Sequence, residues 1–282
     1  AAIGLTAVTN RPTRCFGRLT ASPSPPPPPF ALHSGWTGQP KAQRKPNWAG
    51  AIGSRRVLYR LRMTRLTASD GHELDAYEVH PDGAGASIVI VQEIFGVNAH
   101  IRSVVDRYAE FGYRAIAPAL FDRGETGVEL GYDDEGRARG IELAMQIAFD
   151  PAMLDVAAAV DHVAETGPAA VIGYCFGGSL AWISACELPI AAAVGYYGGQ
   201  VFGMIDREPK VPTMLHFGEL DHGIPLDQVQ AIAAAHPDVP VHVYPGAEHG
   251  FSCDARESHD ARSAAIALGR TLDFLADHGI TP

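Results

Sequence analysis

The sequence predicts an α/β fold, a mostly parallel, doubly wound sheet with helices on both faces. Three observations predict it. Short apolar runs alternate with longer segments of helical period, the order expected when each strand is followed by a crossover helix. Runs such as SIVIV (87–91), AAVIGY (169–174) and AAAVGYY (191–197) are continuously apolar, as strands buried on both faces are. The chain has 282 residues, 46% of them apolar and 19% charged, enough to bury a full core.

The elements follow in order. Strands are expected at 74–79, 87–93, 113–118, 169–174, 191–197, 212–217 and 240–244. Helical periodicity marks 99–111, 138–164, 177–186, 226–236 and 258–277. The stretch DRGETGVELGYDDEGR (122–137) is too polar and glycine-rich for a core element and reads as a surface excursion near one sheet edge. Ligands of such folds bind outside the carboxyl ends of the strands, so the segments that follow strands carry the chemistry.

Charge divides the chain. Residues 1–62 hold ten of the 22 Lys and Arg and no Asp or Glu, which leaves 12 basic against 32 acidic side chains in 63–282. So acidic a domain lacks the clustered cations that bind phosphate backbones, and nucleic acid is not an expected partner. The run SPSPPPPP favours extended polyproline geometry, and no apolar period accompanies it; 1–62 is expected to be a disordered N-terminal extension. Met63 is the first methionine, so this extension reads as sequence upstream of a domain at 63–282, with a leader peptide or a functional arm as alternatives. No run reaches the roughly 18 apolar residues of a membrane span, so no membrane partner is expected. The four cysteines, Cys15, Cys175, Cys186 and Cys253, form no Cys-x-x-Cys pair, which fits a reducing, cytoplasmic setting.

The stretch GYCFGG (173–178) sits where a strand ends and a helix begins. A nucleophile on such a turn needs small residues two before and two after it, and Gly173 and Gly177 flank Cys175 at that spacing. The positive end of the following helix favours thiolate over thiol. The alternative is a cysteine packed as a small hydrophobe in a tight turn. Chain order supports catalysis, because an elbow nucleophile is followed by an acid and then a histidine, each on a strand-exit loop. Asp221 in LHFGELDHGIP and His249 in YPGAEHGFS stand in that order. Asp221 could instead serve a turn or a helix cap, and His249 could be a surface histidine. His216 and His242 fall within strands and read as core histidines; no three ligands converge in sequence, so no metal is expected.

In VQEIFGVNAHI (91–101) a strand delivers Glu93 and then a turn. A triad fold takes its second oxyanion donor from this loop, so the N–H groups of Ile94 and Phe176 are the expected pair. Glu93 would lie near the thiol and could exchange its proton; alternatively it caps the helix near Asn98 or pairs with an arginine.

Together QEIFGVN, AIAPALFDR, GYCFGG, AVGYYGG, HFGELDHGIP, AEHGF and RTLDFL make the chain resemble the dienelactone hydrolase family, carboxymethylenebutenolidases of the α/β-hydrolase fold. The likeness runs from about Met63 to Leu275. It implies Cys175 as nucleophile, His249 as base, Asp221 as orienting acid and Glu93 as the group that holds the resting thiol. It also implies that Arg123 meets a substrate carboxylate. A second such arginine falls at Cys253, with Arg256 nearest, and Gly250 follows the histidine where serine is common. One missing guanidinium weakens a site built for a carboxylate. The expected activity is opening of an enol lactone or related activated ester through a cysteinyl acyl-enzyme, without cofactor, by a monomer or homodimer acting on a small-molecule substrate. The alternatives are a broader carboxylesterase or hydrolase of another small lactone and, in a different class, a non-catalytic ligand-binding or thiol redox-sensing protein.

Overall fold

The structure, a computed structural model, describes residues 59–282, with side chains from 63 onward. Most of the expected N-terminal extension, 1–58, lies outside the described residues. Eight strands form one sheet: β1 (Tyr59–Thr67), β2 (Glu73–Pro81), β3 (Ser87–Val91), β4 (Arg114–Pro118), β5 (Ala169–Tyr174), β6 (Ala192–Tyr196), β7 (Thr213–Gly218) and β8 (Val241–Tyr244). Their order is β1-β2-β4-β3-β5-β6-β7-β8. β1 and β2 pair antiparallel with each other, and β2 with β4; every later pairing is parallel.

Six helices accompany the sheet: α1 (Ala99–Glu110), α2 (Asp134–Ile147), α3 (Phe149–Val163), α4 (Phe176–Glu187), α5 (Leu226–Ala235) and α6 (Ala261–Asp277). Strand side chains alternate between faces, so β3 sends Ile88 and Ile90 into one core and Val89 and Val91 into the other. The first core is closed by Ile101, Val104 and Tyr108 of α1 and Leu272 and Leu275 of α6. The second is closed by Val156, Val160 and Val163 of α3 and Leu143 of α2. Residues 177–186 of α4 are all buried, which is why that helix shows no polar face in sequence.

Three sequence expectations change. No strand is expected before 74, yet β1 pairs with β2 along its whole length; only Thr64 and Leu66 of its described side chains turn inward, leaving a weak period. The single helix expected at 138–164 is two, broken at Ala148, whose φ of 56° no helix allows. The break bends the pair by 88°. The polar excursion does not stay at a sheet edge. Leu130 N–H donates to the Phe95 carbonyl at 2.9 Å, Gly96 and Glu129 form an isolated bridge, and the Phe95 and Tyr132 rings lie 4.5 Å apart. Its last residues start α2, capped by Asp133. This segment packs on the loop after β3 and roofs the carboxyl ends of the central strands.

Candidate active site

β5 runs into α4 through one residue, Cys175, at φ 53° and ψ −112°. The turn is tight enough that a Cβ on Gly173 would stand 1.8 Å from the Gly177 carbonyl oxygen, and one on Gly177 would stand 2.2 Å from that of Val91. Glycine is therefore obligatory on both sides of the cysteine. Two backbone bonds pin the elbow, Cys175 N–H to the Tyr196 carbonyl and Gly177 N–H to that of Gln92, both at 3.0 Å. The N–H groups of Ile94 and Phe176 have no acceptor among the described residues, and both residues line the cavity above Cys175.

The loops after β7 and β8 bring the other two expected residues to the same place. Leu220 N–H donates to the Ala247 carbonyl at 2.8 Å, and Glu219 N–H to that of Tyr244 at 3.0 Å, so the loops move as one. His249 Nδ1 then donates to Asp221 Oδ2 at 2.7 Å. The Asp221 carboxylate is fully buried, and its other oxygen accepts the Gly223 N–H at 2.9 Å, so the turn role and the histidine contact coexist. His249 and Cys175 line the same cavity. Burial alone would lower the histidine's pKa, but the charge of Cys175 and the Asp221 hydrogen bond outweigh that and push it up to about 10. Cys186 and Cys253 differ: burial pushes their thiols up to about 11 and about 12, which leaves them inert.

The structure does not bring Glu93 to the thiol. Its carboxylate is fully buried; Oε2 accepts the Tyr132 hydroxyl at 3.1 Å, and Oε1 stands 3.6 Å from Arg256 Nη1. Of the two alternatives left open by sequence, pairing with an arginine is the one found, while Asn98 itself caps α1. Arg256 lies over Phe95 and Tyr132 and against Gly250, where a Cβ would stand 2.4 Å from Arg256 Nη1. Any side chain after His249 would evict the guanidinium.

Arg123 needs a correction. It faces neither cavity nor substrate, because Nε and Nη2 donate to Asp155 at 2.7 and 2.8 Å, and Nη1 and Nη2 donate to Asp70 at 2.7 and 3.2 Å. Two carboxylates, one of them fully buried, satisfy its planar fork. His216 is a satisfied core histidine, bonded to the Tyr244 hydroxyl at 2.8 Å and to Thr271 at 3.2 Å. His242 is not in the core; it is half-buried on the edge strand, with its ring 5.4 Å from that of His216.

A cavity of about 420 Å³ opens above Cys175. Its walls include Ile141, Ala144 and Met145 of α2, Ala148 at the break, and Phe149, whose ring stacks on Phe176 at 5.4 Å. These residues escaped sequence analysis. The available signal was Ile141 and Met145, four apart on a helix that is otherwise polar on that face.

The family model for dienelactone hydrolases matches residues 74–279. The chain belongs to the dienelactone hydrolase family. It is 34% identical over 222 residues to the carboxymethylenebutenolidase of Pseudomonas putida, covering 75% of this chain and 94% of that one. A carboxymethylenebutenolidase of Pseudomonas sp. strain P51 is 32% identical over 203 residues, or 68% and 85% of the two chains. Among solved structures, a dienelactone hydrolase-like promiscuous phosphotriesterase from metagenomic libraries aligns with TM-score 0.63 at 20% identity, over 78% of this chain and 98% of its own. An esterase of Pyrococcus furiosus aligns with TM-score 0.60 at 16% identity, over 78% and 91%. Both share the α/β-hydrolase fold. As a member of the dienelactone hydrolase family the chain is a hydrolase of small esters or lactones.

Proposed function

We propose that this enzyme opens a lactone or activated ester through an acyl-enzyme on Cys175. The thiolate attacks the carbonyl carbon, a C–S bond forms, and the oxygen that gains charge receives the N–H groups of Ile94 and Phe176. As the tetrahedral species collapses the ester C–O bond breaks, and the His249 imidazolium gives its proton to the leaving alkoxide or enolate. A water molecule then loses a proton to His249 and attacks the thioester, and the C–S bond breaks. Asp221 orients the ring throughout. No step calls for a cofactor.

The observation that carries this reading is the Asp221–His249 hydrogen bond beside the elbow, with His249 and Cys175 lining one cavity. The three described cysteines are all free, which suits a reducing, cytoplasmic setting. Intact-mass analysis after mixing with an activated aryl ester tests the proposal. The wild type gains one acyl group, mapped to Cys175, and releases the phenol continuously; Cys175→Ala does neither. Undiminished turnover in Cys175→Ala ends the assignment. A protein that only binds ligands or senses oxidants shows no adduct and no turnover.

A further inference from the structure

The cavity above Cys175 carries no Lys, Arg, Asp or Glu on its walls; apart from Cys175 and His249 its lining is apolar, glycine, Ser179 and Gln200. Ile141 and Met145 stand one helical turn apart at its rim, 42% and 78% exposed, two of the few large apolar side chains that the fold leaves in water. Packing gives no reason for them there, whereas an apolar ligand group does. Their position is built in: α2 lies so close to the loop after β3 that a Cβ on Gly140 would stand 1.9 Å from the Ile94 carbonyl oxygen. The helix is thus seated on the loop that supplies the Ile94 N–H.

Three arginines near the site are already paired. Arg123 is held by Asp70 and Asp155, and Arg256 sits at Glu93. Arg139, on α2 itself, is paired with Glu125 and Glu142. A carboxylate entering this cavity would lose water and meet no lysine or arginine among its described walls, only the His249 imidazolium that the reaction itself uses.

We infer that the enzyme selects uncharged esters bearing an apolar group, and that Ile141 and Met145 set this preference. The inference rests on the hydrolytic reading above and narrows its substrate class. It separates this chain from any activity that depends on gripping a substrate carboxylate.

The test compares kcat/KM for p-nitrophenyl acetate, butyrate and valerate with that for the p-nitrophenyl monoester of glutaric acid, which has a chain like valerate's but ends in a carboxylate. In the wild type, kcat/KM rises about four-fold per added methylene, the value of one buried CH₂. The glutarate monoester falls about 100-fold or more below valerate, since its charge is buried unpaired. Met145→Arg and Ile141→Arg each narrow that ratio about ten-fold by offering a guanidinium, while Met145→Leu keeps the wild-type ratio. Equal turnover of valerate and the glutarate monoester by the wild type overturns the inference, as does an unchanged ratio in both arginine variants. If none of the esters is hydrolysed and Cys175 gains no acyl group, the hydrolytic reading itself has failed; turnover without discrimination refutes the selectivity alone.

Discussion

Cys175 holds a backbone conformation, φ 53° and ψ −112°, that costs a non-glycine residue about 1–3 kcal/mol. The fold sustains it because Gly173 and Gly177 admit neighbouring carbonyls to within the radius of a missing Cβ. Strain lifts the thiol out of the strand and into reach of His249. The histidine is held as the proton-bearing partner, with its pKa pushed up to about 10 by Cys175 and Asp221 against the opposing effect of burial. A group whose pKa is raised on folding stabilises the folded state fully below its ordinary value, about 6.5 for histidine. That contribution is lost as the pH rises through about 10. The melting temperature of the wild type should therefore exceed that of His249→Gln most below about pH 6.5, and the gap should close between about pH 6.5 and 10. A gap that widens over that range would mean that His249 is neutral in the folded enzyme. These three site residues are legible in sequence because each has a local cue, a glycine-flanked turn or a strand-exit loop in fixed order. Arg123 and Glu93 are not, since their partners, Asp70, Asp155, Tyr132 and Arg256, come from distant segments that no short motif names.

At the level of elements, α2 does what no local signal announces. Its first turn is glycine-rich and acidic, so it reads as an extension of the preceding loop; Asp133, accepting the Gly136 N–H at 2.7 Å, starts the helix instead. Its end has one cue, Pro151 in the first turn of α3, which the apolar period running on across Ala148 obscures. Tertiary contact decides where α2 lies against the loop after β3. The same contact makes Gly140 a sensitive position. In Gly140→Ala the new methyl cannot coexist with the Ile94 carbonyl, so either α2 lifts or the loop shifts and carries the Ile94 N–H out of line. A displacement of about 1 Å in a positioned group can cost on the order of 100-fold. The expected outcome is a kcat for neutral aryl esters lowered about 10- to 100-fold. Alkylation of Cys175 by iodoacetamide should stay near the wild-type rate, because the thiol and its histidine lie on other loops. Wild-type turnover would show that α2 does not hold the oxyanion loop in place.

Across the whole molecule the division of labour follows the sheet. The parallel strands β3 to β7 are buried on both faces, so they read as plain apolar runs and were placed by sequence to within a residue or two. Every proposed site residue rises from their carboxyl ends or from the loop after β8. The other edge is structural. There Glu78 accepts from Arg114 at 2.7 Å and from Thr64 at 2.6 Å, a buried ion pair tying β1, β2 and β4 together. β1 escaped sequence reading because its outward described side chains, Met63, Arg65 and Thr67, mix apolar, charged and polar types, which leaves no clear period at an edge where one face meets water. Met63, which looks like a natural start for the domain, falls in the middle of this strand. A chain beginning at Met63 loses the register pairs of Tyr59 with Pro81, Arg60 with His80, Leu61 with Val79 and Arg62 with Glu78. At about 1 kcal/mol for each backbone hydrogen bond removed, the loss is roughly 2–4 kcal/mol. For a domain of this size each kcal/mol moves the melting temperature by about 2–4 °C, so a fall of roughly 5–10 °C is expected. A chain beginning at Tyr59 keeps all nine pairs and should melt above the Met63 chain by that margin. Activity should separate from stability in this series. Below its melting point the Met63 chain should keep the wild-type kcat, since β2, β4 and β3 stand between the missing residues and the Cys175 elbow. Equal melting temperatures for the two shortened chains would show that the first half of β1 adds nothing to the fold.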